Sequence, residues 1–472
     1  MKLLYTLFFT FFLSSTYSQT ASEYLEKIRD NEAELTAFFS QMPKGGDIHH
    51  HFSGSIYAEP LLQRAIIENF YLNTETMDVR KQKTTSGNWE LFSTLKSNGT
   101  LELYKQKIIQ KWSVKDYNGV DYPSDKLFFE SFMKFEPAIQ GNFAQGMLEL
   151  KNRAVSENLS YIETQLSTIP TAISTDDLTK FNISLRKLAL VKDEKAIMKS
   201  LDSVYNSLLK KRVETDAKKF NMNFVTKLHN DLKIDDSQFT MRYQNFVLRF
   251  MEPVDLFKNL VIAFISADQS ELMAGVNIVS PEDGETSMKD YWLHMVMFKY
   301  CNSRYPNVKY TMHAGELTLG LVQPEELTWH INAAVHIAGA NRIGHGVDLA
   351  YETDSYDLLR HMAKNKIPIE INLVSNEFIL KVKDSRHPLT LYKDFGVPIV
   401  ISTDDAGILR SNMTEQYVLL AKRYKDVSYQ DIKQFVYNSI TYSFIKEEKV
   451  KKRLLRDLDN RFKTFEEKFP LK

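Results

Sequence analysis

Four short motifs in this chain combine residues that bind metals with residues that exchange protons. The chemistry-bearing residues are His49 and His51, His313 and Glu316, His345, and Asp404 and Asp405. Each motif stands at or just after a short stretch with the pattern of a buried strand. In a barrel of parallel strands the carboxyl ends of all strands share one rim, so these motifs are predicted to form one site there.

The histidines of the first motif differ in the direction they face. His49 and His51 are two residues apart, so on a strand they point to one side and His50 points to the other. We expect the outer two to bind one ion and His50 to be structural. By itself, a histidine run fits a solvated segment equally well, and only the other motifs favour a metal site. His313 is a third candidate ligand, and Glu316 can exchange a proton from the rim loop.

Two adjacent carboxylates, Asp404 and Asp405, follow the last predicted strand. Neighbouring strand residues face opposite ways, so one can reach the metal and the other the substrate. Left unpaired beside a buried core, both would be costly. His345 lies between glycines and is placed to act as a base or an electrostatic group. Three imidazoles and one carboxylate form a set that suits zinc and leaves a position for water.

The elements that must position these residues alternate between short strands and longer helical stretches. Eight strand candidates are predicted, at Asp47–Phe52, Leu159–Gln165, Met241–Phe250, Ala274–Val279, Lys309–His313, Arg342–His345, Pro368–Val374 and Pro398–Thr403. This repetition predicts an α/β fold, a (β/α)8 TIM barrel. Residues 60–125 and 170–238 exceed what a barrel needs and are interpreted as helical insertions, of undetermined role, within one domain.

Composition and the N-terminus limit the function classes. Lys plus Arg and Asp plus Glu are both 60 among the 472 residues, so no overall charge attracts nucleic acid. Residues 1–18 are predicted to be a cleavable signal peptide, because a charged start precedes an apolar run too short to span a bilayer. We expect a secreted or periplasmic protein without stable membrane insertion, a short helical segment at 19–42 and the catalytic domain at 43–472. Cys301 is the only cysteine, so no intramolecular disulfide forms.

Residues 40–445 resemble the adenosine deaminase family of metal-dependent hydrolases, most closely its secreted branch, the adenosine deaminase-related growth factors. The resemblance is carried by the segments MPKGGDIHHHFSGS (42–55), LFFESF (127–132), YIETQ (161–165), GVNIVSPED (275–283), HAGE, RIGHG, STDD and NSITYSF (438–444). The order of the four chemical motifs on one chain makes this signature highly specific.

The resemblance implies a role for each residue. It implies that one Zn²⁺ per chain is bound by His49, His51, His313 and Asp404. Glu316 would protonate N1 of the purine, and hydroxide oriented by Asp404 and His345 would attack C6. Asp405 would contact the N7 side of the ring, and backbone near Ser280 would meet N3.

Three positions depart from the pattern of the cytosolic members. Ser53 stands where they carry an aspartate that contacts the ribose, Gln165 stands where they carry arginine, and Ser280 replaces a glycine. These changes leave the chemistry intact and bear on recognition of the sugar, with Ser53 still able to donate a hydrogen bond.

The function expected from these observations is that of an exported, zinc-dependent purine nucleoside deaminase. It would hydrolyse adenosine, 2′-deoxyadenosine or both to the 6-oxo nucleoside and ammonia. The alternatives are deamination of another 6-aminopurine, such as adenine or a modified nucleoside, and a non-catalytic nucleoside-binding or signalling protein. The expected partner is a small-molecule nucleoside, not nucleic acid, and the oligomeric state is left open.

Overall fold

The structure of the protein is a computed structural model that describes residues 20–120 and 122–469. The predicted signal peptide at 1–18 lies outside the described residues. Within them, no helix is both long and apolar enough to cross a membrane.

Eight parallel strands form a nearly closed barrel. They are β1 (Gly46–His51), β2 (Tyr161–Ser167), β3 (Thr240–Leu248), β4 (Met273–Val279), β5 (Lys309–Ala314), β6 (Arg342–His345), β7 (Ile369–Ile371) and β8 (Ile399–Ile401). Each strand pairs with the next in chain order from β1 to β8. A single bridge between His50 and Asp404 brings the end of β8 back to β1. The predicted (β/α)8 barrel is therefore confirmed.

Helices follow the strands and fill the insertions. Residues 20–28 are helical, and the α-helices after them are Glu32–Gln41, Phe52–Ser55, Ala58–Ile67, Phe92–Ser97, Leu101–Trp112, Ser124–Ile139, Phe143–Ser156, Lys180–Leu190, Glu194–Lys210, Val213–Lys219, Lys227–Asp231, Pro253–Gln269, Glu285–Arg304, His330–Ala333, Ser355–Asn365, Leu373–Leu380, Leu389–Asp394, Met413–Arg423, Tyr429–Thr441 and Glu448–Glu466. Single 3₁₀ turns occur at Asp176–Leu178, Pro324–Thr328, Leu349–Tyr351 and Asp384–Arg386, and π turns at Phe220–Thr226 and Ala334–Ala338.

Two predicted elements differ from the structure by more than a shift of one or two residues at an end. The sequence predicts the seventh strand over Pro368–Val374, but β7 ends at Ile371 and a helix begins at Leu373. Apolar residues continue across that junction, so the pattern alone does not show where the strand stops. The N-terminal segment is two helices, because Asn31 interrupts the helix and its side chain caps Glu34 N at 3.2 Å.

The first insertion packs against loops at the carboxyl ends of the strands. It carries a small antiparallel sheet of Tyr71–Asn73, Val79–Arg80 and Trp89–Leu91. Beyond that sheet, Val114 N donates to the carbonyl of Ile408 at 2.9 Å. The Tyr117 ring lies 5.0 Å from that of Phe378. The insertion thus forms part of the wall around the end of the barrel that carries the predicted motifs.

Candidate active site

Four side chains from three parts of the chain converge at the carboxyl end of the barrel. His49 and His51 come from β1, His313 from β5, and Asp404 from the turn after β8. One ligand atom of each lies within 4.8 Å of every other. The structure therefore brings together the four residues that the sequence predicts as metal ligands.

The distances between these atoms suit one tetrahedral ion. His313 Nε2 lies 3.2 Å from both His49 Nε2 and His51 Nε2. Asp404 Oδ1 lies 3.1 Å from His51 Nε2 and 3.5 Å from His49 Nε2. Four ligands at zinc–ligand distances of about 2.0–2.1 Å are separated by roughly 3.3 Å in a tetrahedron. The spacing and the donor set both fit zinc.

In His49 and His313, the ring nitrogen that faces away from the cluster, Nδ1, is engaged as a hydrogen-bond donor. His49 Nδ1 lies 2.6 Å from Glu370 Oε2, and His313 Nδ1 lies 3.1 Å from Asn277 Oδ1. Both partners are acceptors through these oxygens, so each imidazole presents the lone pair of Nε2 to the other. Two lone pairs 3.2 Å apart repel one another unless a cation lies between them. Such outer contacts fix the tautomer and orientation of metal-binding histidines.

Asp404 is held by its backbone as well as its side chain. Its φ of 62° is unusual for a non-glycine residue. The strained turn is fixed by bonds from Asp404 N to the His49 carbonyl at 2.9 Å and from His51 N to the Asp404 carbonyl at 3.2 Å. Its second carboxylate oxygen accepts from Ser375 Oγ at 2.7 Å. The turn therefore aims the first oxygen at the histidines.

Two glycines make room for this arrangement. A Cβ at Gly344 would lie 2.5 Å from His49 Cε1, and one at Gly54 would lie 1.7 Å from Asp405 Oδ1. Gly344 belongs to the RIGHG motif and Gly54 follows the first histidine run. Both motifs thus carry glycine where a side chain would displace a functional group.

The backbone of the loop that carries Glu316 is held by a second carboxylate, that of Glu282. Gly315 N and Glu316 N donate to the two oxygens of Glu282, at 3.1 and 3.0 Å. Glu282 also lies 2.6 Å from His330 Nδ1. Burial alone would raise the pKa of Glu282, but the hydrogen bond with His330, the charges of His330 and Arg249 and the hydrogen bond from Glu316 N together outweigh burial and lower it. An ionised Glu282 therefore holds the loop in place.

Glu316 itself has the environment of a proton donor. It is buried at the end of the barrel, 3.5 Å from His345 Nδ1 and in a group with Asp404. Burial raises the pKa of Glu316 well above its usual value, and the nearby Asp404 charge raises it further. Burial lowers the pKa of His345 to about 3. Burial in the site thus favours the protonated form of the Glu316 carboxyl and the neutral form of the His345 imidazole.

Asp405 and His345 have polar atoms that the described residues do not satisfy. His345 Nε2 and Asp405 Oδ1 are both buried without a hydrogen-bond partner in the described part of the chain. On its other side, His345 Nδ1 lies 3.0 Å from Asn376 Nδ2. Burial raises the pKa of Asp405 well above its usual value, and Asp404 adds to the effect. Unsatisfied buried atoms of this kind are typical of a ligand site.

Two of the predicted substrate positions, Ser53 and Ser280, and the departing residue Gln165 lie near or just after the carboxyl ends of β1, β4 and β2. Ser53 lies partly exposed in the short helix after His51, and Ser280 follows β4 with a φ of 91°. Gln165 pairs in register with His51, and its Nε2 lies 3.2 Å from His51 Nε2. The Oε1 of Gln165 is buried and unpartnered among the residues described. The roles assigned to Ser53 and Ser280 stay predictions.

Sequence reasoning missed the residues that support the site. These are Glu370, Asn277, Glu282, Arg249 and Ser375. A signal was present for Glu370, a single charge in an otherwise apolar strand, because a buried charge requires a partner. His50 is predicted to be structural, and the structure agrees: its Nδ1 lies 2.9 Å from Thr164 Oγ1, away from the cluster.

Comparison with known proteins agrees with this geometry. The family model described as adenosine deaminase matches residues 233–461. An adenosine deaminase from Clostridium acetobutylicum is 32% identical over 153 residues, 32% of this chain and 42% of that protein. This chain is related to the adenosine deaminases.

Two further similarities extend over most of the chain. Adenosine deaminase 2 of Dictyostelium discoideum is 23% identical over 446 residues, covering 89% of this chain and 72% of that protein. The structure of an N6-mAMP deaminase from Arabidopsis matches with a TM-score of 0.54 and 17% identity, covering 90% of this chain and 99% of the other. At that identity the likeness shows the fold. The matches to two clostridial adenosine deaminases span only about two fifths of those relatives, 42% and 38%.

Proposed function

We propose that the protein is a zinc-dependent deaminase that replaces the 6-amino group of a purine nucleoside, adenosine or 2′-deoxyadenosine, with oxygen from water. The observation that carries the proposal is the buried carboxyl of Glu316, whose pKa burial raises, beside the four-ligand cluster. A buried neutral carboxyl next to a cation site suits a reaction that needs a proton on a ring nitrogen and a nucleophile at the adjacent carbon. The relationship to the adenosine deaminases supports the same reaction.

We assign the binding of one zinc ion to His49, His51, His313 and Asp404. Their donor types and separations fit a tetrahedral ion. A zinc ion bound there would supply a nucleophile at neutral pH, because it lowers the pKa of bound water to about 7.

The remaining residues supply protons and orientation. Glu316 gives its proton to N1 of the purine, which leaves C6 short of electrons. His345 Nδ1 faces the Asn376 Nδ2 donor, so a neutral His345 carries its proton on Nε2, which has no partner among the described residues and donates a hydrogen bond that orients the attacking water. Asp405 faces the ring and binds its N7 side. The attacking water gives its oxygen to C6, one proton to the departing amine and the other back to Glu316, so the C6–N bond breaks with release of ammonia and the 6-oxo purine keeps the proton on N1.

A second candidate substrate is a purine with a substituted 6-amino group. The Arabidopsis N6-mAMP deaminase shares the fold. The two reactions differ only in the amine released, so the same proton donor and cation site serve both. Adenine and N6-methyladenosine therefore belong in the first substrate panel.

The test is a spectrophotometric assay of purified, zinc-loaded protein with adenosine, 2′-deoxyadenosine, adenine and N6-methyladenosine. We expect conversion of adenosine to the inosine spectrum, and no conversion by the matched Glu316→Gln variant. If the wild-type protein binds zinc and is folded but converts none of the four compounds, the proposed function is wrong and nucleoside binding becomes the better account.

A further inference from the structure

A chain of buried polar side chains runs from the metal-ligand cluster into the barrel. Glu370 Oε2 contacts His49 Nδ1 at 2.6 Å, and Glu370 Oε1 accepts from Arg342 Nε at 2.5 Å. Arg342 Nη2 in turn donates to Glu163 Oε1 at 2.6 Å. The four side chains come from β1, β7, β6 and β2, and each is at most 1% exposed. This buried network joins four strands to one metal ligand.

Every charged group in the network has its full set of partners. Glu370 Oε1 also accepts from Thr311 Oγ1 at 3.0 Å. Glu163 accepts from Gln244 Nε2 at 2.6 Å and from Tyr161 Oη at 2.8 Å. Glu370 Oε2 lies 2.6 Å from His49 Nδ1, while Oε1 accepts from both Arg342 and Thr311. The carboxylate is thus held with one oxygen toward Nδ1 of His49, which places the imidazole proton there and leaves Nε2 for a cation.

The far end of the network is closed by the segment that follows the helix Tyr429–Thr441. The Phe444 ring centre lies 3.6 Å from the guanidinium carbon of Arg342. Phe444 N donates to Glu163 Oε2 at 2.7 Å, and the carbonyl of Tyr442 accepts from Arg342 Nη1 at 3.1 Å. The segment therefore contacts both members of the buried Arg342–Glu163 pair.

The Phe444 ring occupies space that a glycine of the barrel leaves open. A Cβ at Gly275, in β4, would lie 2.6 Å from Phe444 Cδ2. Gly275 thus leaves the space that the ring occupies beside Arg342. Both residues lie in segments that carry the family resemblance, GVNIVSPED and NSITYSF, and neither residue has a role in the proposed reaction.

We propose that Phe444 is a positioning residue for the metal site, acting through Arg342 and Glu370 on His49. The ring covers one face of the guanidinium and keeps water from it, so Arg342 stays between its two carboxylates. Without the ring, water hydrates Arg342, Glu370 loses its fixed direction, and His49 is held less firmly. The inference rests on the proposed metal site but not on any purine substrate.

The experiment measures Zn²⁺ affinity of the full chain by competition with a chromophoric chelator, in the absence of purine. Loss of a supporting contact of this kind typically lowers metal affinity by about 10- to 100-fold. We expect Phe444→Ala to weaken Zn²⁺ binding about 10-fold and to change the visible spectrum of the Co²⁺-substituted protein. Phe444→Leu, which keeps apolar volume but loses the aromatic face, should lie between wild type and Phe444→Ala.

Phe435→Ala is the matched control, because Phe435 and Phe444 are equally buried, each 6% exposed, and Phe435 makes none of the contacts in the network. It should leave Zn²⁺ affinity within about twofold of wild type. The inference is overturned if both Phe444 variants bind Zn²⁺ like wild type, or if Phe435→Ala weakens binding as much. Should Phe444→Ala fail to fold, the comparison of Phe444→Leu with Phe435→Ala decides the question. A wild-type protein that binds no Zn²⁺ would instead contradict the proposed function.

Discussion

Two groups of buried side chains, one at the rim of the barrel and one in the charged network of its interior, differ in their hydrogen bonding. At the rim, His345 Nε2, Asp405 Oδ1 and Gln165 Oε1 are buried without a partner among the described residues. In the interior, Glu370, Arg342 and Glu163 have hydrogen bonds to every oxygen or nitrogen of their charged groups. Because an unpaired buried group is costly, natural proteins keep few of them. The contrast shows where a ligand belongs and which groups only support it.

The largest expected effect comes from a substitution at the rim, Glu316→Gln. It keeps the shape of the side chain but removes its acidic proton. We expect kcat to fall on the order of 10³-fold, within the range for a general acid. Zinc content and thermal stability should be unchanged. Steady-state rates and metal analysis of the same preparation check this, and a variant with near wild-type activity would remove Glu316 from the mechanism.

In the interior, Glu370→Gln leaves His49 without its carboxylate partner and Arg342 with only one of its two, Glu163. Removing one member of a buried ion pair destabilises a protein by about 3 kcal/mol or more. We expect a loss of about 3 kcal/mol in the free energy of unfolding, measured by urea denaturation. Glu252→Gln is the control, because that carboxylate is 53% exposed and paired with Arg186. It should cost less than about 1 kcal/mol, and equal losses would contradict the contrast.

Substitutions of the adjacent residues Asp404 and Asp405 are expected to have different effects, one on metal binding and the other on substrate binding. Asp404→Ala should lower zinc content. Asp405→Ala should keep zinc and reduce kcat/KM on the order of 10-fold, as expected for a lost hydrogen bond between neutral groups. Zinc is measured by mass spectrometry and kcat/KM with adenosine. If both variants lost zinc equally, the division of roles between the two residues would be wrong.

The smallest effect concerns strain at the rim. Ser280 has a φ of 91°, which glycine adopts without cost. We expect Ser280→Gly to raise the free energy of unfolding by up to about 1 kcal/mol, because relief of strain exceeds the added entropy of the unfolded chain. Urea denaturation measures the change. A clear loss of stability would show that the Ser280 side chain has a role that outweighs the strain.

Much of the fold was predictable because the motifs with metal-binding and proton-exchanging residues stand at the ends of the predicted strands. The alternation of apolar runs with helical stretches predicts eight strands in the right order. Local signals are weaker where apolar residues cross a boundary, as between Ile371 and Leu373. Asn31 carries the signal of a helix cap, although the apolar spacing on both sides of it predicts one continuous helix.

The metal cluster was also predictable, whereas its supporting residues were not. His49, His51, His313 and Asp404 stand in recognisable motifs, and residue types at strand ends suffice to group them. The partner of a buried charge is set by register between strands. Thus β6 and β7 place Arg342 against Glu370, and the sequence shows the charges without showing which of them meet.

The most direct test of the account is the fate of oxygen at C6 of the purine. Wild-type protein loaded with zinc is incubated with adenosine in ¹⁸O-labelled water, and the product and ammonia are measured. We expect one labelled oxygen at C6 and one ammonia for each nucleoside consumed, with the sugar still attached. Adenosine recovered unchanged, or cleaved to free adenine with no oxygen at C6, would contradict the assignment of the rim as a deaminase site.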